Sequence, residues 1–128
     1  MRLLLDTCSF LWIASDAPEL SPTARALFAD ADNEVLLSAV SAWEIAVKHA
    51  LGKLRLPDPP ARFVPSMREQ HLILPLPLDE QAVLRLASLP SHHRDPFDRM
   101  LVCQALADGL TLLTPDPLIQ QYPVSTIW

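Results

Sequence analysis

Glycine is nearly absent: the 128 residues hold only Gly52 and Gly109. A phosphate cradle of the P-loop or G-x-G-x-x-G kind needs several glycines where backbone approaches the ligand, so nucleotide binding of that kind is excluded. Cysteine is equally scarce. Cys8 and Cys103 stand alone, and His49, His71, His92 and His93 do not fall at zinc-ligand spacing from them. Both thiols are expected as reduced, buried small hydrophobes. No run of about 18 apolar residues exists, which excludes a conventional membrane span. A basic excess is also missing, because the net charge is −5. That argues against a broad surface binding nucleic acid by counterion release, and leaves local contacts through Arg94, Arg99, Lys48 and Lys53. The apolar run Leu3-Leu4-Leu5 is too short for the core of a signal peptide and ends in Asp6, so a cytoplasmic protein with no membrane contact is expected.

What is present is apolar bulk and proline. Half the residues are hydrophobic, enough for one domain that buries roughly two-thirds of its unfolded surface. The 13 prolines cluster in Leu56-Pro57-Asp58-Pro59-Pro60 and Leu74-Pro75-Leu76-Pro77, which read as rigid connections within a domain. Between them the pattern alternates strand and helix. Strands are expected at Arg2–Leu5, Val35–Leu37, Leu72–Leu74, Leu110–Leu113 and Val124–Ile127. Helices are expected through Phe10 to Ile13, from Ser21-Pro22, over Ser38 to Leu51, over Pro60 to Gln70, from Asp79 to before Pro90, and from Asp95-Pro96 to Asp108-Gly109. Ser21-Pro22 and Asp95-Pro96 are strong starts, each a capping side chain followed by proline at the first helical position. Short, fully apolar strands separated by helices imply an α/β fold whose mostly parallel sheet is covered on both faces. Ligands bind beyond the carboxyl ends of such strands.

Asp6 and Asp116 lie at such ends. Glu44 interrupts the apolar segment Ala42-Trp43-Ile45-Ala46-Val47, and Asp98 opens Met100-Leu101-Val102-Cys103. Each acid has an ordinary structural role open to it. Asp6 can cap a helix starting near Thr7, Asp116 can cap a turn at Pro117, and Asp98 can favour a helix dipole. Glu44 can pair with Ser41 or Lys48. Four unrelated caps have no reason to converge, whereas carboxylates gathered in one pocket repel unless a cation lies between them. All-oxygen ligation suits Mg²⁺ or Mn²⁺, the ions of phosphodiester chemistry.

Four segments, in order, resemble the PIN-domain ribonucleases, and among them the VapC-type toxins of toxin–antitoxin pairs. They are Leu3-Leu4-Leu5-Asp6-Thr7, Ser38-Ala39-Val40-Ser41-Ala42-Trp43-Glu44-Ile45, His93-Arg94-Asp95-Pro96-Phe97-Asp98-Arg99-Met100, and Leu113-Thr114-Pro115-Asp116. The resemblance implies a single PIN domain over 1–128, with a Rossmann-like sheet of about five parallel strands. It implies that Asp6, Glu44, Asp98 and Asp116 are both the catalytic and the metal-binding residues, holding Mg²⁺ (or Mn²⁺) for hydrolysis of RNA phosphodiester bonds. The implied substrate is tRNA or rRNA, and the implied partners are a VapB-type antitoxin and a second copy of the chain. Thr7, Ser41 and Thr114 lie beside the acids, where core or capping hydroxyls are the favoured reading. His92, His93 and Arg94 fit a phosphate-contacting rim or a solvated loop equally well, and Trp12, Trp43 and Trp128 are expected as core or interface anchors. Cys8 stands where many relatives have His. Two other readings remain: a PIN-like binding module without catalysis, and a haloacid-dehalogenase-type phosphatase, which needs a second Asp where Cys8 stands.

Overall fold

A computed structural model describes all 128 residues. Five strands form one sheet: β1 (Arg2–Leu5), β2 (Glu34–Ser38), β3 (Leu74–Leu76), β4 (Thr111–Leu113) and β5 (Thr126–Ile127). Their order is β3-β2-β1-β4-β5 and every pair is parallel. Successive side chains of a strand point to opposite faces, and in β1 both faces are apolar. Leu3 and Leu5 join one core with Phe10, Ile13, Val35, Leu37 and Phe63. Leu4, between them, joins the other core with Leu36, Val102, Leu112 and Tyr122.

Six α-helices cover the sheet: α1 (Thr7–Ser15), α2 (Pro22–Ala29), α3 (Ala39–Ala50), α4 (Pro60–Gln70), α5 (Glu80–Leu84) and α6 (Pro96–Asp108). None is long and apolar enough to cross a membrane. Their starts follow local chemistry. Ser21 accepts from the Ala24 N–H and Ser38 from the Val40 N–H, while Asp95 accepts from the Phe97 and Asp98 N–H groups. The last helix ends where Gly109 takes a left-handed φ of 65°, a conformation that costs glycine little. Buried Gln104 of α6 bonds both Ser38, the cap of α3, and the Pro77 carbonyl beyond β3. That bridge ties the amino end of α3 to the middle of α6, and so relates the helices carrying Glu44 and Asp98.

Three elements differ from expectation. The third strand is Leu74–Leu76, not Leu72–Leu74. Leu72 turns out of α4 with a left-handed φ of 57°, and the Ile73 N–H donates back to Arg68, so pairing begins only at Leu74. Pro75 lies within β3, which is tolerated because an edge strand needs only one row of ladder bonds. The helix opened by Asp79 is α-helical only to Leu84 and tightens to a 3-10 turn over Arg85–Ser88. Of its apolar residues Ala82 is buried, but Val83, Leu84 and Leu86 are exposed. The closing strand is confined to Thr126–Ile127.

Candidate active site

The β1–β4 register aligns Leu5 with Leu113, so the chain leaves both strands side by side and Asp6 emerges beside Thr114. Asp6 caps α1 through the Ser9 N–H at 2.8 Å, and its other oxygen accepts the Thr114 hydroxyl at 2.6 Å. Burial raises its carboxyl above the usual range; the Ser9 and Thr114 bonds oppose this, and the charge of Asp116 adds to it. Thr114 also accepts the Asp116 N–H at 3.1 Å, which links the two acids through one hydroxyl. Asp116 caps the turn after Pro117 by accepting the Leu118 N–H.

Glu44 sits on α3 with its side chain buried. One oxygen accepts the Thr7 hydroxyl at 2.6 Å, and Thr7 in turn lies 3.0 Å from the Ser41 hydroxyl. The other oxygen pairs with Lys48, one turn on. That bond raises the Lys48 ammonium and largely commits it, so Lys48 is not a free cation for a phosphate. Asp98 occupies the third position of α6. Burial, then the charges of Asp95, Glu44, Asp6 and Asp116, push its carboxyl up to about 8. Four elements of the fold therefore bring their acids within electrostatic reach of Asp98.

The expected set is joined by a residue whose role the sequence leaves open. His93 is 7 % exposed at its side chain, and its Nε2 lies 3.5 Å from an Asp98 oxygen, too poorly placed to count as a hydrogen bond and otherwise without a partner. His93, Asp98 and Asp116 each offer a ligand atom within 4.8 Å of the others. Asp6 and Glu44 stand outside that tight group, each held by a threonine. Tyr122, the single tyrosine of the chain, is not singled out by the sequence, because nothing local marks it. It is buried, and its hydroxyl meets the His93 N–H at 3.3 Å, His93 Nδ1 at 3.0 Å and Arg99 Nη1 at 3.2 Å. His93 is thus packed and oriented, not part of a solvated loop.

Other expectations are corrected. Thr7 and Thr114 orient acids directly, where core or capping hydroxyls are the expectation. Cys103 is buried as expected, but Cys8 is exposed. It is the second residue of α1, within electrostatic reach of the acids. Partial burial and the charges of Asp6, Glu44 and Asp98 push its thiol up to about 11. Trp12 packs on Trp128 with ring centres 5.7 Å apart, beside the first core. Trp43 is 55 % exposed and only edges against Phe97, so it is no core anchor.

Whether the donors suit a divalent cation is answered by their remaining lone pairs. No hydrogen bond within the chain reaches either Asp98 oxygen, and one Asp116 oxygen is uncommitted. Asp6 and Glu44 are aimed by hydroxyls, which leave lone pairs free. Hard oxygen donors on a rigid frame, under mutual repulsion, fit Mg²⁺ or Mn²⁺.

Known proteins are similar to this chain in sequence or in fold. Ribonuclease VapC16 of Mycobacterium tuberculosis is 38 % identical over 81 residues, which span 57 % of this chain and 57 % of that protein. Among solved structures, VapBC2 of Rickettsia felis bound to a DNA fragment from its promoter superposes with a TM-score of 0.73 at 12 % identity, covering 99 % of this chain and 98 % of that one. DNA-bound VapBC of Salmonella typhimurium gives 0.65 at 16 % identity, covering 99 % and 97 %. At such identities the likeness is one of fold. The family model of the PIN domain matches residues 3–124, and the chain belongs to the PIN-domain family.

Proposed function

We propose that this chain is a metal-dependent endoribonuclease of the VapC type, the toxin of a toxin–antitoxin pair, with Asp6, Glu44, Asp98 and Asp116 as its catalytic and metal-holding residues. The observation that carries the reading is geometric: Asp98 and Asp116 lie with His93 in a group whose polar atoms are within 4.8 Å of one another, and buried Asp6 and Glu44 are held beside it by Thr114 and Thr7. Burial, and after it the charges of neighbouring acids, push the Asp98 carboxyl up to about 8, a cost that a bound cation would offset. When bound, Mg²⁺ or Mn²⁺ would supply Lewis acidity toward phosphoryl oxygens and would ease loss of a proton from water. The chain's own residues supply orientation. Thr114 holds Asp6 and, through the Asp116 N–H, the turn bearing Asp116. Thr7 holds Glu44, and Lys48 balances its charge. The Asp95 cap fixes the first turn of α6, and with it Asp98.

The proposed substrate is RNA, after the ribonuclease relative; a structured RNA of the tRNA or rRNA class is what the VapC-type resemblance implies. The proposed partner is a VapB-type antitoxin. A cavity of about 370 Å³ between α1, the segment 54–58 and α4, lined by Leu11, Leu54, Leu56, Phe63 and Met67 with Arg55 and Asp58 at its rim, suits a peptide with hydrophobic anchors and charged flanks. Homodimerisation is proposed as well, supported by the exposed Leu78, Val83, Leu84 and Leu86 around α5.

The test is incubation of tRNA and rRNA with the protein and Mn²⁺, sequencing of the new RNA ends, and an Asp6→Asn control. Cleavage at defined sites by the wild type alone is expected. Intact RNA despite Mn²⁺ uptake would point to a binding module and overturn the catalytic reading.

A further inference from the structure

Beside the acids lies a second cavity of opposite character, about 550 Å³, lined by Ser91, His92, His93, Arg94 and Arg99. No carboxylate lines it. Neither arginine is paired with an acid in the chain, although the net charge is −5 and acids outnumber bases. Arg94 is exposed. Arg99 is anchored by one nitrogen, Nη1, to the Pro90 carbonyl at 2.8 Å and the Tyr122 hydroxyl at 3.2 Å, and the rest of its fork is left for another acceptor.

His93 lines this cavity and also stands in the group with Asp98 and Asp116, and Tyr122 decides how. The Tyr122 oxygen receives two N–H donors, from the His93 backbone and from Arg99, which fill its lone pairs. Its own proton then has one acceptor in reach, His93 Nδ1 at 3.0 Å. In the neutral ring, Nδ1 therefore carries the lone pair and Nε2 the hydrogen. That Nε2–H is buried, has no hydrogen-bond partner and lies 3.5 Å from Asp98. A donor of this kind, left unsatisfied beside carboxylates, suits an acceptor brought in by a ligand.

The geometry points to a phosphate subsite: the cavity of Ser91, His92, Arg94 and Arg99 holds an RNA backbone phosphate next to the acidic centre, and His93 Nε2–H donates to a phosphoryl oxygen at the boundary. This rests on the ribonuclease reading and deepens it. Arginine's planar fork matches a phosphate's paired oxygens, and the cavity holds no hydrophobic residue that would seat a base or an apolar anchor. Tyr122 is a positioning residue, acting through His93 and Arg99. An acidic segment of a protein would use the same arginines, but would have less use for a histidine donor directed at the acids.

The experiment reads binding and cleavage separately. Anisotropy of a labelled 12-nucleotide single-stranded RNA in EDTA, from 25 to 200 mM NaCl, gives the salt slope of binding. Arg94→Ala should flatten that slope by about 0.7, the share of one neutralised phosphate, and Arg94→Lys should restore part of it. Arg25→Ala, the same charge change on α2, should leave the slope as in the wild type. Tyr122→Phe should weaken binding while the circular-dichroism spectrum stays native, and the ¹⁵N shifts of His93 should move away from the Nε2–H tautomer. With Mn²⁺, Arg94→Ala should raise KM more than it lowers kcat, and His93→Gln should lower kcat. An unchanged slope in Arg94→Ala, or no RNA binding by the wild type, overturns the subsite. So does displacement of the RNA by a Glu-rich peptide equally well from wild type and Arg94→Ala. If the slope falls in Arg94→Ala but wild type leaves RNA intact with Mn²⁺, the subsite stands and the cleavage reading fails. Cleavage with an unchanged slope gives the converse.

Discussion

Asp98→Asn should make the metal-free protein more stable while removing its response to metal. In the folded chain the Asp98 carboxyl is pushed from 3.8 up to about 8, first by burial and then by four neighbouring acids. At pH 7 the folded state therefore holds a proton that the unfolded state has released. With more protons bound in the folded state, stability falls as pH rises, and this group contributes that fall between about pH 4 and about pH 8. Each unit is worth about 1.4 kcal/mol. The span from 3.8 to 7 sets a ceiling of about 4 kcal/mol, and relaxation with water entry at a side chain still 17 % exposed reduces this to about 2 kcal/mol. Asparagine has nearly the same shape and no charge, so the variant avoids the cost. At about 4 °C per kcal/mol for a chain of this length, its melting point should rise by about 8 °C at pH 7 to 8. A role confined to the helix dipole requires the opposite sign, a loss of about 0.3–1 kcal/mol. The assay is thermal melting in EDTA at pH 5, 6, 7 and 8, repeated with Mn²⁺. The gap between variant and wild type should widen with pH, and only the wild type should gain stability from Mn²⁺. A variant that melts below wild type at pH 8 in EDTA would refute the reasoning.

Asp95→Asn retains a good cap and should change stability by less than about 1 kcal/mol with most cleavage kept, whereas Asp98→Asn should nearly abolish cleavage of the same RNA. Thr114→Val strips the hydroxyl from buried Asp6; a loss of about 1–3 kcal/mol in urea melts is expected, together with weaker Mn²⁺ binding by calorimetry. Cys8, held at about 11, should react with a disulfide reagent at pH 8 on the order of a hundredfold more slowly than free cysteine, and Mn²⁺ should speed the reaction by offsetting nearby charge. Leu4→Ala, at a fully buried position, should cost about 2–5 kcal/mol in denaturant melts.

The parts legible in the sequence are those governed by local chemistry. Ser21-Pro22 and Asp95-Pro96 announce their helices because cap and proline act within one turn. Leu3-Leu4-Leu5 announces a strand buried on both faces because no polar residue interrupts it. The third strand lies two residues beyond its expected place because Leu72 and Leu74 are equivalent in propensity; what separates them is the left-handed turn at Leu72, which depends on how α4 ends. The acids are legible as a motif, but their supports are not. Thr7 reaches Glu44 across 37 positions and Thr114 reaches Asp6 across 108, and no short-range pattern carries such pairings. Tyr122 is the extreme case, since it matters only through the loop and helix that fold against its hydroxyl.

The two borders of the sheet carry a consequence for whether copies of this chain can join edge to edge. One border is β3, interrupted by Pro75, and the other is β5, only two residues long. An open border is a template on which a second chain can extend the hydrogen-bonded ladder, the first step toward fibrous aggregation. Here the first border lacks a donor where a visiting strand would need one, and the second is too brief to register one. Strand addition between copies is thereby disfavoured, and the homodimer proposed above would have to form through helix surfaces, where side-chain shape selects the partner.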